Sequence, residues 1–117
     1  RSTMTDMLTF AEAHLASEGP LFDAMARTRE SHYRLPASAL EVPPDAPWTD
    51  AIDHGLAWRR FDGGAYHSGT TLFYQTGFAV SAEAGVGLVM LTSSRDNLAF
   101  HGVLNPIFLN WFKEACS

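Results

Sequence analysis

The sequence predicts an α+β fold in which an antiparallel sheet is flanked by helices on both faces, and only part of that fold is carried by these 117 residues. Three observations predict it. Apolar residues recur at helical spacing near both ends of the chain. The middle alternates with a period of two between glycine-rich turns, as strands do. The last strands are apolar on both sides, so each face of the sheet needs a covering layer.

Taken in order, Thr3-Met4-Thr5-Asp6 has capping-box spacing, and Met4, Met7, Leu8, Ala11 and Leu15 follow as one apolar stripe. This predicts a helix over 4–16. Ser17-Glu18-Gly19-Pro20 stops it. Leu21, Phe22, Met25 and Ala26 form a shorter stripe that predicts a second helix ending near Arg29. Between Leu35 and Asp53, Pro36, Pro43, Pro44 and Pro47 lack amide hydrogens and fix φ, which predicts a surface excursion. Gly55 to Phe61 alternates as a strand with unequally wet faces, and Asp62-Gly63-Gly64 is a turn.

Residues 73–80 and 86–91 alternate as two antiparallel strands joined by Ser81 to Gly85. Phe100, Val103, Leu104, Ile107, Phe108 and Trp111 share one face of a final helix, capped by Asp96 or Asn97 and expected to lie on that hairpin. Pro106 lies inside this pattern, where a bend is expected. Three or four strands are an incomplete share of such a sheet. With Arg1 in first place, the chain reads as a processed product or a piece of a larger catalytic domain, residues 1–117 forming one C-terminal segment.

Composition excludes several functions. Thirteen acids against eight Lys and Arg give a net charge of -5, which repels phosphate backbones, so no nucleic-acid partner is expected. No apolar run approaches the roughly 18 residues of a membrane span. The single cysteine, Cys116, forms no internal disulfide, and the compartment stays open. His14, His32, His54, His67 and His101 lack ligand spacing and a neighbouring thiol, so no metal and no cofactor are expected. Asp50, Asp53 and His54 read as a turn with caps, and Arg59-Arg60 as a solvated strand face. Trp48, Trp58 and Trp111 read as core or cleft-wall aromatics.

The stretch with chemical content is His67-Ser68-Gly69, which follows Tyr66 and a glycine-rich turn and leads into the hairpin. An edge strand there presents backbone amides and two polar side chains to a cleft. Acyl transfer needs such an edge, because N–H donors stabilise a developing oxyanion and a neighbouring cation or hydroxyl holds a carboxylate or moves a proton. Gly69 lets substrate approach the backbone. On local pattern alone, the plain alternative is that His67 and Ser68 are ordinary strand residues and that Gly63, Gly64 and Gly69 only shape turns.

The order of a capped helix, a second helix, a proline-rich stretch, GLAW, HSGT, a hairpin ending in GVGLVMLTSS and an amphipathic last helix resembles the end of the serine β-lactamase and penicillin-binding-protein superfamily. It is most similar to the class C β-lactamases and related esterases. The resemblance implies a β-lactamase/transpeptidase-like fold and an acyl-enzyme formed on an ester, amide or β-lactam substrate. It places His67, Ser68 and Gly69 at the family's Lys-Thr-Gly triplet, with His in the Lys position. It further implies that the Thr70 N–H is one of two oxyanion donors and that Thr71 lies beside bound substrate.

The family acylates the Ser of a Ser-x-x-Lys motif, helped by a Tyr-x-Asn or Ser-x-Asn element. Neither is present. The one lysine, Lys113, has Asn110 three residues before it, and Tyr33, Tyr66 and Tyr74 are followed two places on by Leu35, Ser68 and Thr76. The nucleophile is therefore expected from sequence upstream of Arg1 or from a second chain, and these residues alone are expected to be inactive. The competing expectation is a noncatalytic α/β module whose open sheet edge binds a partner strand.

Overall fold

The computed structural model describes residues 2–36, 52–61, 63–93, 96 and 99–117. Helix α1 spans Met4–Leu15 and α2 spans Phe22–Thr28. Six strands follow: β1 Tyr33–Leu35, β2 Ile52–His54, β3 Arg59–Phe61, β4 Gly64–Thr70, β5 Gln75–Ser81 and β6 Val86–Thr92. A π-helical turn, Phe100–Leu104, then leads into α3, Asn105–Cys116. The strands form one antiparallel sheet in chain order, so every connection is a hairpin or a simple return. The α+β class with helices on both faces is as expected. The strand count is not, since the described residues supply six strands rather than three or four.

The helices form where the sequence places them. Thr3 caps α1: its hydroxyl accepts from the Asp6 N–H at 3.2 Å, and the Asp6 carboxylate accepts from the Thr3 N–H at 2.8 Å. These bonds, the backbone one first, hold the Asp6 carboxyl below the usual range. Along the sheet, alternation sends Ala65, Phe78, Val80 and Val89 to one face, where Met7, Ala11 and Leu15 of α1 cover them. Tyr66, Ala79, Leu88 and Met90 go to the other face, under Phe108, Leu109 and Phe112 of α3. Small residues set the depth of contact. A Cβ on Gly87 would meet the Ala11 Cβ at 3.2 Å, and one on Gly77 would meet Met90 and Phe108 at 3.3 Å.

The excursion between Leu35 and Asp53 is bounded by paired strands, with Leu35 opposite Ile52 and Tyr33 opposite His54; its centre, Asp50 included, lies outside the described residues. Other expectations need correction. Gly55 to Trp58 is a hairpin loop rather than the start of a strand. The Gly55 N–H donates to the Trp58 carbonyl at 2.9 Å, the Leu56 N–H to the Thr28 carbonyl at 2.8 Å, and Ala57 adopts φ 65°. An exposed carbonyl at the end of α2 is thereby satisfied by the loop, and this tertiary bond outweighs the alternating pattern.

The Arg59-Arg60 pair is not uniformly solvated. Arg60 ion-pairs with Asp53 across β2 and β3, and the Ser31 hydroxyl donates to the same carboxylate at 2.6 Å, so Asp53 and His54 are strand residues rather than turn caps. The last helix buries a different face from the one expected. Asn105, Phe108, Leu109 and Phe112 face inward, while Val103, Ile107 and Trp111 are exposed. The π-helical turn fits an additional residue into one turn and so rotates α3 about its own axis. Pro106 falls in the first turn of α3, directly after the π-helical turn, where the geometry changes from π to α. The Asp96 carboxylate still accepts from the Ala99 N–H at 2.9 Å; Asn97 lies outside the described residues.

Candidate functional site

Strand β4 is paired on both sides for only half its length. Its contact with β3 ends at the pair Arg59 and Tyr66, whereas its pairing with β5 continues through His67–Phe78, Ser68–Gly77, Gly69–Thr76 and Thr70–Gln75. Among the described residues, one flank of 67–70 therefore faces no strand. Hairpin geometry fixes which amides lie on that flank. The Thr71 N–H donates to the Tyr74 carbonyl at 2.8 Å, so Thr71 and Tyr74 are a hydrogen-bonded pair. Alternation along an antiparallel ladder turns the polar backbone groups of Gly69 and His67 toward β5 as well. Those of Ser68 and Thr70 point to the open flank.

The side chains alternate through the sheet. His67 and Gly69 lie on the α1 face with Phe78 and Thr76. Ser68 lies on the α3 face with Tyr66, whose hydroxyl is buried and donates to the Asn105 Oδ1. Burial raises the Tyr66 pKa, and hydrogen bonding with Ser68 and Asn105 acts against that rise. Thr71 sits where the turn begins, its hydroxyl 3.4 Å from the Tyr74 carbonyl, beside an exposed apolar tip of Leu72, Phe73 and Tyr74. The five predicted residues are thus consecutive along one strand end, but their side chains divide between two faces and a turn.

On the α1 face lies an open groove of about 540 Å³. Its floor is Trp58 and Phe78, α1 contributes Met7, Phe10 and His14, and α2 contributes Leu21 and Met25. His67 and Thr76 close the sheet side. Helix α2 is tied to this floor through one hydroxyl: the Trp58 Nε1–H donates to Thr28 Oγ1 at 3.1 Å, and that hydroxyl donates to the Met25 carbonyl at 2.7 Å. A Cβ on Gly55 would fall within 3.0 Å of the Thr28 carbonyl oxygen, so only glycine lets the loop approach the helix end this closely.

Comparison with known proteins finds no match, neither to a family model nor to a curated protein or a solved structure. The reading therefore rests on these residues and their geometry. Among the described residues, no group of three or more His, Cys, Asp or Glu is placed to hold a metal ion, and no helix is long and apolar enough to cross a membrane.

His14 is the site residue that sequence reasoning passed over. It is 2% exposed, and its ring stands edge-on to Phe10 at 4.6 Å and to Trp58 at 5.2 Å. Its Nδ1 accepts from the Arg29 guanidinium, which leaves the proton of the neutral ring on Nε2. Burial first, and the Arg29 charge second, lower its pKa to about 4. A signal was available, because Met7, Ala11 and His14 recur at i, i+4 and i+7, which places the histidine on the buried stripe.

The shift makes stability depend on pH. Between about 4 and 6.5 the unfolded chain binds a proton that folded His14 refuses, so the contribution is complete above pH 6.5 and is lost as pH falls toward 4. The loss expected is on the order of 2–3 kcal/mol. Urea unfolding midpoints measured from pH 7 to 4 check it, and His14→Gln should flatten that part of the profile.

Proposed function

We propose that this chain is the C-terminal part of a serine hydrolase resembling the class C β-lactamases, in which the end of β4 forms the rim of a carbonyl-activating pocket. The observation that carries the reading is the open flank of residues 67–70. Two outward amides on alternate residues, those of Ser68 and Thr70, stand beside a groove with His67 in its wall. The fold class agrees with this reading at the level of an antiparallel sheet between helices.

In the proposed reaction, a serine hydroxyl from outside this chain attacks the substrate carbonyl carbon and loses its proton to a base supplied with it. The Thr70 N–H donates to the oxyanion that forms. Collapse expels the alcohol or amine with a proton and leaves the acyl group on the serine, and water then releases the acid. His67 stands on the groove side, where it holds the substrate by hydrogen bonding or moves a proton. Gly69 leaves the strand surface bare between His67 and Thr70. Ser68 meets substrate through its outward N–H, while its side chain lies on the opposite face with Tyr66. Without a Ser-x-x-Lys element, the chain by itself is expected to turn over no substrate.

The test is ester turnover by the complete enzyme. His67→Ala should lower kcat/KM on a chromogenic ester by about tenfold to a hundredfold, the worth of one hydrogen bond to a charged group. Unchanged kinetics would remove His67 from the site. The same open flank also favours a second reading, in which a partner strand adds to β4 and no chemistry occurs. Saturable binding of an extended peptide, with no ester turnover by the complete protein, would decide for it.

A further inference from the structure

We propose that the groove between α1, α2 and the sheet binds the unbranched apolar acyl chain of an ester or carboxylate, with the carbonyl end held at His67. The proposal rests on the hydrolase reading for the reacting carbonyl, but binding of the chain stands on the groove itself. The volume, about 540 Å³, is within the range of small-molecule sites. Among the described residues, no Lys, Arg, Asp or Glu lines it, so a charged side group on a substrate would find no counter-ion.

The polar groups in and behind its wall are engaged with the protein, apart from the Nε2–H of nearly buried His14. Arg29 donates to His14, Trp58 donates to Thr28, Thr28 donates to the Met25 carbonyl, and Thr76 Oγ1 lies 3.4 Å from the Gly69 carbonyl. A ligand hydroxyl or amide placed along the groove away from His14 would therefore lose its water without gaining a partner, whereas a methylene loses nothing. His67 differs. Its ring lines the sheet side, is exposed and makes no side-chain hydrogen bond among the described residues, so an accessible polar anchor lies at one end of an apolar trough. The rim residues Leu21, Leu56 and Phe10 are themselves exposed, an apolar patch that a ligand chain would cover. Unbranched Met7 and Met25 line opposite helices and adapt to a flexible chain better than to a rigid ring.

The experiment titrates this 117-residue chain with butyrate, hexanoate and octanoate by calorimetry, with the Trp58 indole followed by NMR. Each added methylene should lower Kd about fourfold, so each two-carbon step should lower it about fifteenfold. Ala24→Glu, on an exposed groove-lining position of α2, should weaken octanoate by more than tenfold with an unchanged thermal midpoint. His67→Ala should weaken all three acids by a common factor and preserve the chain-length slope. Equal Kd values across the series, no binding of octanoate, or undiminished binding by the Ala24→Glu chain would each overturn the proposal. A complete enzyme that cleaves acetyl and octanoyl esters with equal kcat/KM would keep the hydrolase reading and overturn this one. Chain-length-dependent binding with no ester turnover would uphold the acyl groove and discard the hydrolase.

Discussion

Thr70→Pro is expected to reduce the kcat of the complete enzyme on an ester by about a hundredfold to a thousandfold while leaving the fold in place, as removal of one oxyanion donor does. The prediction depends on the phase of β4. Because Thr71 bonds to Tyr74 across the turn, the Thr70 N–H points away from β5 and contributes nothing to that ladder. Proline is accepted in a strand where the N–H faces an unpaired side. It also asks that Gly69 be extended, as a strand residue already is. The substitution therefore deletes a donor without deleting a sheet bond. Thr70→Ala keeps the amide and should stay within a few-fold of the parent, and Thr71→Pro, which breaks the turn bond, should lower the thermal midpoint instead. A folded Thr70→Pro enzyme with full turnover would place the oxyanion elsewhere.

Much of the fold was legible because local and global preferences agree there. The capping box at Thr3 and Asp6, the stop before Pro20 and the two-sided apolar alternation of β5 and β6 each point to one structure, and each forms. The illegible parts depended on contacts distant in sequence. Gly55 to Trp58 alternates like a strand, but Thr28, roughly thirty residues earlier, takes the Leu56 N–H and draws the segment into a loop. Asp53 looks like a turn residue until Arg60 and Ser31 close on it. In the last helix the apolar residues are so dense that two faces read as buried, and the choice is made by a π-helical turn that spacing alone does not reveal.

The candidate site divides in the same way. That residues 67–70 would lie on a strand beside a hairpin was readable from glycine placement and alternation. An open edge beside them was expected too; what spacing did not reveal is that β4 is an edge over only part of its length, open at 67–70 because β3 is short and stops opposite Tyr66. The groove was hidden for a further reason: it is assembled from α1, α2, the 55–58 loop and the sheet, no two of which are adjacent in the motif that drew attention.

The largest stability effect is expected at Phe112, which is 0% exposed and forms the centre of the α3 face with Phe61, Tyr66 and Ala79. Its ring stands perpendicular to that of Phe61 with centroids 5.7 Å apart. Phe112→Ala removes the ring and leaves a cavity, at a cost of about 3–5 kcal/mol, measured as a fall in the urea midpoint with an unchanged slope. Gly64 makes the argument more specific. A Cβ there would lie 2.7 Å from Phe112 Cε1 and 3.1 Å from the Val80 carbonyl oxygen, so Gly64→Ala alone overpacks the ring and is expected to cost about 1–3 kcal/mol. In the Phe112→Ala background the ring is gone and the added methyl partly fills the space. The double variant should thus lose less than the sum of the two single losses, with a coupling of about 1 kcal/mol or more. Strict additivity would mean that the ring does not rest on the β4 backbone at Gly64. In that case the first residue of the strand that ends at the proposed site would not be held by α3.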